Sequence, residues 1–409
     1  MSEIRQQQLI IKSVNQLKNS NLPEYEKSPT NKLYNIKYKE PLTNVLMIKK
    51  PWDSTVREAM IEMINHLHLN YPKVNVLVTE DVADELQNEK TTLDKILNSN
   101  IDHIIYTGKY KEIINKVDLM ITLGGDGTIL RGVSLFSNSK VPPVLSFAMG
   151  TLGFLLPFDF KNNMECFKTV YENKALALHR NRIECHVIRN EDDDSIYDDQ
   201  HSEKKSNERR EMIHAMNDVT IHRGSSPNLT SLDIYIDGEF FTTTYADGVI
   251  FSTPTGSTAY SLSAGGSITH PSVPCILLTP ICPRSLSFRP LILPCTSDIM
   301  IKLSKNNRNN YIELTIDGIS QDDLHPGDEL HITSETIILE NHKIRKQKSF
   351  KDKIKNNLNI YNNINNNNNN DQNGIWCVAN NENQWAKDLN SLLGFNSSFR
   401  DQKGKKSHL

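Results

Sequence analysis

This sequence carries no excess of positive charge: 46 Lys and Arg stand against 49 Asp and Glu, a formal net charge of −3. Without a global positive field, a protein cannot hold nucleic acid or an anionic membrane by overall charge, so a polyanionic ligand must be bound by local chemistry. Long apolar runs are missing too. The longest, such as 117–123, fall far short of the ~20 residues that cross a bilayer. The first residues (MSEIRQQQLIIKS) include Glu3 and no long apolar core. Cysteine is scarce as well. Cys166, Cys185, Cys275, Cys282, Cys295 and Cys377 form no close pair and are too sparse for a disulfide framework. None is spaced as CxxC, so buried thiols are expected in place of a structural zinc site. The expectation from these absences is a soluble, cytoplasmic protein that binds neither nucleic acid nor membrane.

At 409 residues the chain exceeds the ~250 to 300 at which single cores stop growing, so two domains and a tail are expected. Residues 1–43 lack regular apolar periodicity and read as a polar N-terminal arm. From 44 to 182 strands and helices alternate. The run 44–50 (NVLMIKK) reads as a strand, and Asp53 or Ser54 can cap a helix with Val56, Ala59, Met60, Met63, Ile64 and Leu67 on one face. Strand-like runs return at 74–79, 117–123 and 144–148, with helical pieces over 82–97 between the first two. Strands apolar enough to be covered on both faces imply an α/β domain with a doubly wound parallel sheet. From 183 to 340 strands follow one another without helices, with Asp237-Gly238 as a hairpin turn, so this domain is β-rich. Inside it, 190–212 is charged and reads as a solvated surface loop. Residues 341–374 form an Asn-rich stretch that reads as an insertion. In 375–409, Trp385, Leu389, Leu392 and Leu393 recur at helical spacing before a basic tail, so a terminal helix is expected to dock back on the body.

The first chemically informative segment is ITLGGDGTIL, 121–130. A buried strand runs into Gly124, Gly125, Asp126 and Gly127, and a helix begins near Thr128. Glycines let backbone N–H groups approach phosphate oxygens, and the helix start adds a favourable dipole. No P-loop Lys and no GxGxxG accompany the motif, which argues against an ordinary NTPase cradle or a hydride-transfer cofactor. Asp126 is the only carboxylate in the loop, able to accept a proton from a hydroxyl or to help hold Mg²⁺ on a nucleoside triphosphate. The turn at 150–154 is expected to line the same crevice. In the second domain, ADGVIFSTPTGSTAYSLSAGG (246–266) crowds Thr253, Thr255, Ser257, Thr258, Ser261 and Ser263 around Tyr260, on which an adenine could stack. Asn217, Asp218 and Asp247 supply amide and carboxylate partners for ribose hydroxyls. His66 and His68, two apart on a helix, point about 200° from each other and are expected as surface histidines.

In this order and spacing, LGGDGTIL, FAMGTLGFLLPF, NDVTIHRGSSP, ADGVIFSTPTGSTAYSLSAGGSITHPSVP and TPICPRSLSFRPLILP resemble the eukaryotic NAD kinase family, over about residues 41–340. GGDG alone is shared with lipid kinases and phosphofructokinases, whereas TPTGSTAYSLSAGG is not. The terminal QWAKDLNSLLGFN is similar to the family's closing helix. The resemblance implies ATP and NAD as substrates, NADP as product through phosphorylation of the 2′-hydroxyl of the adenosine ribose, Mg²⁺ as cofactor and assembly as a homo-oligomer. It implies Asp126 as catalytic residue, with Gly124, Gly125, Gly127 and Thr128 around the ATP phosphates. Asn217, Asp218, Asp247, Thr258, Ala259, Tyr260, Ser261, Leu262 and Ser263 are implied as NAD-binding. The sequence departs from the family at Arg284, where His is usual, and at Ile319-Ser320, where a polar or basic residue commonly follows DG. The competing readings are a lipid kinase, which would want an apolar slot and a membrane-binding surface, and a non-catalytic NAD-binding module, which would be expected to lack Asp126.

Overall fold

Central strands that are buried at every position, followed by helices with one apolar face, build the first domain. The structure, a computed structural model, describes residues 9–88, 103–150, 153–190, 212–304, 307–335 and 373–394. The Asn tract at 356–370, residues 191–211 of the charged segment, and 151–152 of the second glycine turn lie outside them. Six strands run parallel in the order Leu9–Ser13, His103–Thr107, Asn75–Leu77, Asn44–Lys49, Leu119–Gly124, Val144–Ala148. All of Asn44–Lys49 and Leu119–Gly124 is buried, because helices cover both faces. Successive strand residues point to opposite faces. Val45 and Met47 therefore pack with Met60, Met63, Ile64 and Leu67 of the helix Ser54–Asn70, while Leu46 and Ile48 pack with Ile129 and Val133 of the helix Asp126–Ser134. The first of these helices starts as expected, with Asp53 Oδ1 accepting from the Val56 N–H at 3.3 Å.

Residues 9–37 are not an arm. Leu9–Ser13 forms one edge of the sheet, and Glu24–Lys27 and Tyr34–Lys37 form the other, so the sheet has 11 strands and is mixed. Buried Asp118 pins this region by accepting from the N–H groups of Asn21 at 2.6 Å, Thr43 at 3.0 Å and Asn44 at 2.9 Å. The two halves are joined by a strand from the far end of the chain. Ile375–Ala379 lies parallel to Val144–Ala148 on one side and antiparallel to Leu176–Arg180 on the other. Its Trp376 stacks on Tyr25 with ring centroids 3.8 Å apart.

The second domain is two six-stranded antiparallel sheets enclosing Val219, Ile221, Ile234, Val249, Phe251, Leu278, Ile301 and Leu330. Asp237 and Gly238, at φ 55° and 87°, turn the hairpin between Thr230–Ile236 and Glu239–Ala246. That positive φ at both residues matches a turn whose twist follows the strands. The two domains meet at Arg182, which forks onto Glu335 at 2.7 and 2.6 Å and donates to the Phe136 and Ser139 carbonyls. Glu335 Oε2 also accepts from the Gly374 N–H at 2.8 Å, so the two ends of the 336–372 stretch are neighbours. Among the described residues no helix is long and apolar enough to cross a membrane.

Candidate active site

Strand order reverses between Asn44–Lys49 and Leu119–Gly124, since the chain visits Asn75–Leu77 on one side of the first strand and Val144–Ala148 on the far side of the second. Ligands of open α/β sheets gather in the crevice at such a point, outside the carboxyl ends of the strands. The glycine loop sits there. Gly124 has φ 152°, and a side chain on it would collide with Thr128 Oγ1 and meet Lys50 Cβ at 3.0 Å. Thr128 Oγ1 in turn accepts from the Gly125 N–H at 3.3 Å. Above Gly125 and Gly127 a Cβ would touch nothing within 4 Å, so these glycines leave open the space that phosphate oxygens need.

Asp126 opens the helix Asp126–Ser134 and is half-buried. Gly153 packs so closely on its carboxylate that a side chain there would displace it, and Asp126 Oδ1 accepts from the Leu155 N–H at 3.3 Å. The second glycine turn therefore does line the crevice. Burial raises the Asp126 pKa above the ordinary carboxylate value, opposed by the Leu155 and Phe154 N–H groups and the positive charge of Arg180. Arg180 lies in none of the sequence motifs. Only 6% exposed, it donates from Nη1 to Thr255 Oγ1 and from Nη2 to the Phe154 carbonyl, both at 3.2 Å. One guanidinium thus spans the Asp126 loop and the hydroxyl loop of the second domain, and its Nε has no hydrogen-bond partner among the described residues.

The Asn217-Asp218 pair is held by Asp317. This carboxylate accepts from the N–H groups of Met216 at 2.8 Å, Asn217 at 2.7 Å and Asp218 at 3.1 Å. Asp317 and Gly318 have φ 49° and 75°, so the DG pair forms a tight hairpin turn whose side chain reaches back to cap a neighbouring strand. The buried Asn217 Oδ1 has no partner among the described residues, an acceptor of the kind a ribose hydroxyl satisfies. Burial and the charge of Asp317 push the Asp218 pKa up to about 7, and burial pushes Asp317 up to about 6 against the three N–H groups it holds. Asp247 has one oxygen on Arg223 Nε at 2.6 Å.

Only part of the hydroxyl loop is free to meet a dinucleotide. Thr253 donates to the Met216 carbonyl at 2.6 Å, Ser257 to the Pro254 carbonyl at 2.6 Å, and Ser261 shares a hydrogen bond with Thr279 at 2.9 Å. With Thr255 under Arg180, these side chains are buried and shape the loop from beneath. Thr258, Ala259 and Leu262 are half-buried, and Tyr260 and Ser263 are exposed. Tyr260 is 42% exposed and so is not a core aromatic. Its pKa is raised by partial burial and then by the charges of Cys282, Asp218 and Asp247.

The terminal helix Gln384–Leu393 closes the crevice, but its packed face is not the apolar one expected. Leu393 is exposed, Trp385, Leu389 and Leu392 are half-buried, and the buried residue is Asp388. Trp385 meets His270 edge-on at 4.8 Å, and Arg180, His270 and Asp388 share a cavity of about 50 Å³. Burial raises the Asp388 pKa; Gln384 and Arg180 lower it and Asp126 raises it further. His68 is also unlike its expected surface role: its Nδ1 lies 2.8 Å from that of buried His103. Among the described residues no three His, Cys, Asp or Glu side chains converge as a metal cage.

A glycine loop at a strand-order reversal, a raised-pKa carboxylate within it and, in the second domain, an Asn217 acceptor open to a sugar hydroxyl define a two-domain nucleotide phosphotransferase. The family models for the ATP-NAD kinase N-terminal and C-terminal domains match residues 45–175 and 216–336, and the chain belongs to that family. The mitochondrial NADH kinase of Saccharomyces cerevisiae is 50% identical over 397 residues, 95% of this chain and 89% of that one. The mitochondrial NADH kinase of Schizosaccharomyces pombe is 36% identical over 95% of this chain and 86% of that one. The crystal structure of yeast NADH kinase complexed with NADH superposes with a TM-score of 0.76 at 48% identity, covering 95% of this chain and 98% of that chain. The protein is accordingly a kinase with ATP and NAD(H) as substrates, and neither the lipid-kinase nor the non-catalytic reading is favoured. The cytoplasmic expectation is corrected by the same relatives, both named as mitochondrial. Sparse, unpaired cysteines argue only for a reducing compartment, and that does not separate the two locations.

Proposed function

We propose that this protein transfers the γ-phosphoryl group of ATP to the 2′-hydroxyl of the adenosine ribose of NADH, giving NADPH, in the mitochondrion. The observation that carries the reading is the Arg180 bridge, which ties Thr255 of the hydroxyl loop to Phe154 beside the half-buried Asp126 carboxylate. Ionised Asp126 takes the proton of the 2′-hydroxyl as that oxygen attacks the γ-phosphorus, and ADP leaves with the bond electrons. Gly125 and Gly127 leave room for the phosphates, while Asn217 Oδ1, Asp218 and Tyr260 hold the adenosine end of the dinucleotide. Asp126, the one carboxylate of the loop, would be the residue to contact a magnesium ion bound with the triphosphate, which would supply charge neutralisation there. The preference for the reduced dinucleotide rests on the relatives, which are named as NADH kinases. Exposed Phe240, Phe241 and Tyr245 on the edge strand Glu239–Ala246 support a homo-oligomer, because such edges are normally covered.

Purified protein with Mg-ATP and NADH, coupled to an NADPH-specific reductase, tests the reading. Production of NADPH is the expected result, faster from NADH than NADP is formed from NAD. No phosphorylation of either dinucleotide would reject it.

A further inference from the structure

Trp52 is the one tryptophan that the fold does not use. Trp376 is buried on Tyr25, and Trp385 is half-buried against His270, but Trp52 is 98% exposed. It is also in the left-handed region, at φ 58°. That conformation is uncommon for a bulky side chain and persists where the surroundings over-determine it, most often at ligand-binding turns. Here the surroundings are clear. The Lys50 N–H donates to the Leu123 carbonyl at 2.9 Å, Lys50 Nζ pairs with Asp53 at 3.1 Å, and Asp53 caps the following helix. The turn is tied at both ends while its aromatic ring stands in solvent.

The location gives that ring a purpose. Lys49 pairs with Leu123 in the sheet, so residues 50–53 and 124–127 are the two loops that leave the strand-order reversal. Lys50 Cβ lies 3.0 Å from where a Gly124 Cβ would be, and two further residues carry the backbone at most ~7 Å. A nucleoside triphosphate whose phosphates lie on the glycine loop must send its base out over one of the flanking loops. The second-domain hydroxyl loop, with Tyr260, serves the other nucleotide. We infer that Trp52 is the platform on which the base of the phosphoryl donor stacks. The inference rests on the ATP-kinase reading above and adds to it the residue that selects a donor with an aromatic base.

The test varies ATP at saturating NADH, and NADH at saturating ATP, in wild type and in Trp52→Phe, Trp52→Ala and Trp52→Gly. Loss of base stacking should raise KM for ATP roughly 5- to 100-fold in Trp52→Ala, with kcat and KM for NADH nearly unchanged and Trp52→Phe close to wild type. Trp52→Gly should show the same ATP defect while melting at or above the wild-type temperature, because glycine adopts positive φ without strain. Mg-ADP should quench tryptophan fluorescence in wild type and not in Trp52→Phe. The inference is overturned by an unchanged KM for ATP in a normally folded Trp52→Ala or Trp52→Gly, by a rise in KM for NADH instead, by a quench that survives in Trp52→Phe, or by a change in oligomeric state on size exclusion. A wild-type protein inactive with ATP would reject the kinase reading itself and is read separately.

Discussion

A carboxylate that must take a proton works best when its pKa is lifted toward the working pH, and burial lifts that of Asp126. Because the ionised form is the active one, kcat should fall as pH drops through a value above the ordinary carboxylate range. Asp126→Asn should lower kcat by ~10² to 10⁴ with little change in NADH affinity, and should abolish the acid limb of the pH–rate profile; steady-state kinetics over pH measures both. Asp218 offers a second test with the sign worked out. Its folded pKa of about 7 lies above the value near ~3.9 expected in the unfolded chain. The stability it contributes is therefore complete at acid pH and is lost as pH rises to 7. Asp218→Asn should raise the melting temperature by several degrees at pH 8 and much less at pH 5, by calorimetry, at the expense of NADH affinity. The glycine loop and Asp126 were legible in the sequence because their chemistry is local. Arg180, Asp317 and Asp388 were not, since Arg180 acts on Thr255, 75 residues away, and Asp317 on the Asn217 N–H, 100 residues away. A DG pair announces a turn, not the strand its carboxylate will cap.

Elements with strong periodicity were read correctly, as the helix Ser54–Asn70 and the strands around it illustrate. Leu9–Ser13, Glu24–Lys27 and Tyr34–Lys37 were not, because strands at or next to a sheet edge are half-exposed and mix charges with apolar residues. The terminal helix was found by its spacing, yet the residue it buries is Asp388, and its stabilising role shrinks accordingly. Two deletions separate structure from decoration here. Glu335 and Gly374 are already in contact, so replacing 336–372 by a short linker should leave activity intact and change stability by no more than ~2 kcal/mol, mostly favourably, from a shorter closed loop. Truncation before Gln384 should uncover the Arg180 cavity and cut kcat at least tenfold while costing only ~1 to 3 kcal/mol, since its apolar residues are half-buried. Melting curves and assays on both proteins distinguish these outcomes, and equal activity of the two would contradict the docked helix.

At the scale of the molecule, the Arg182–Glu335 ion pair joins the domains. Burial alone would raise the pKa of Glu335, but the charge and hydrogen bonds of Arg182, with His214 and the Gly374 N–H, hold it at about 2. Glu335→Gln should destabilise by ~3 to 5 kcal/mol, the range for stranding a buried charge, and should do so across the neutral range because the pair titrates only in strong acid; thermal unfolding at pH 6 and 8 measures it.

The strand Ile375–Ala379 has a consequence in time. It is made near the end of the chain but stands between Val144–Ala148 and Leu176–Arg180. During synthesis, then, the first domain emerges from the ribosome with a slot down the middle of its sheet. That slot stays open while the ~190 residues from Arg180 to Ile375 are added, roughly 10 to 40 s at ordinary elongation rates. Two unpaired strand edges face the cytosol for that interval, inviting chaperones or a neighbouring nascent chain. The first domain is therefore not finished before the second has been made, and the last strand of the chain among the described residues is the keystone of its first domain.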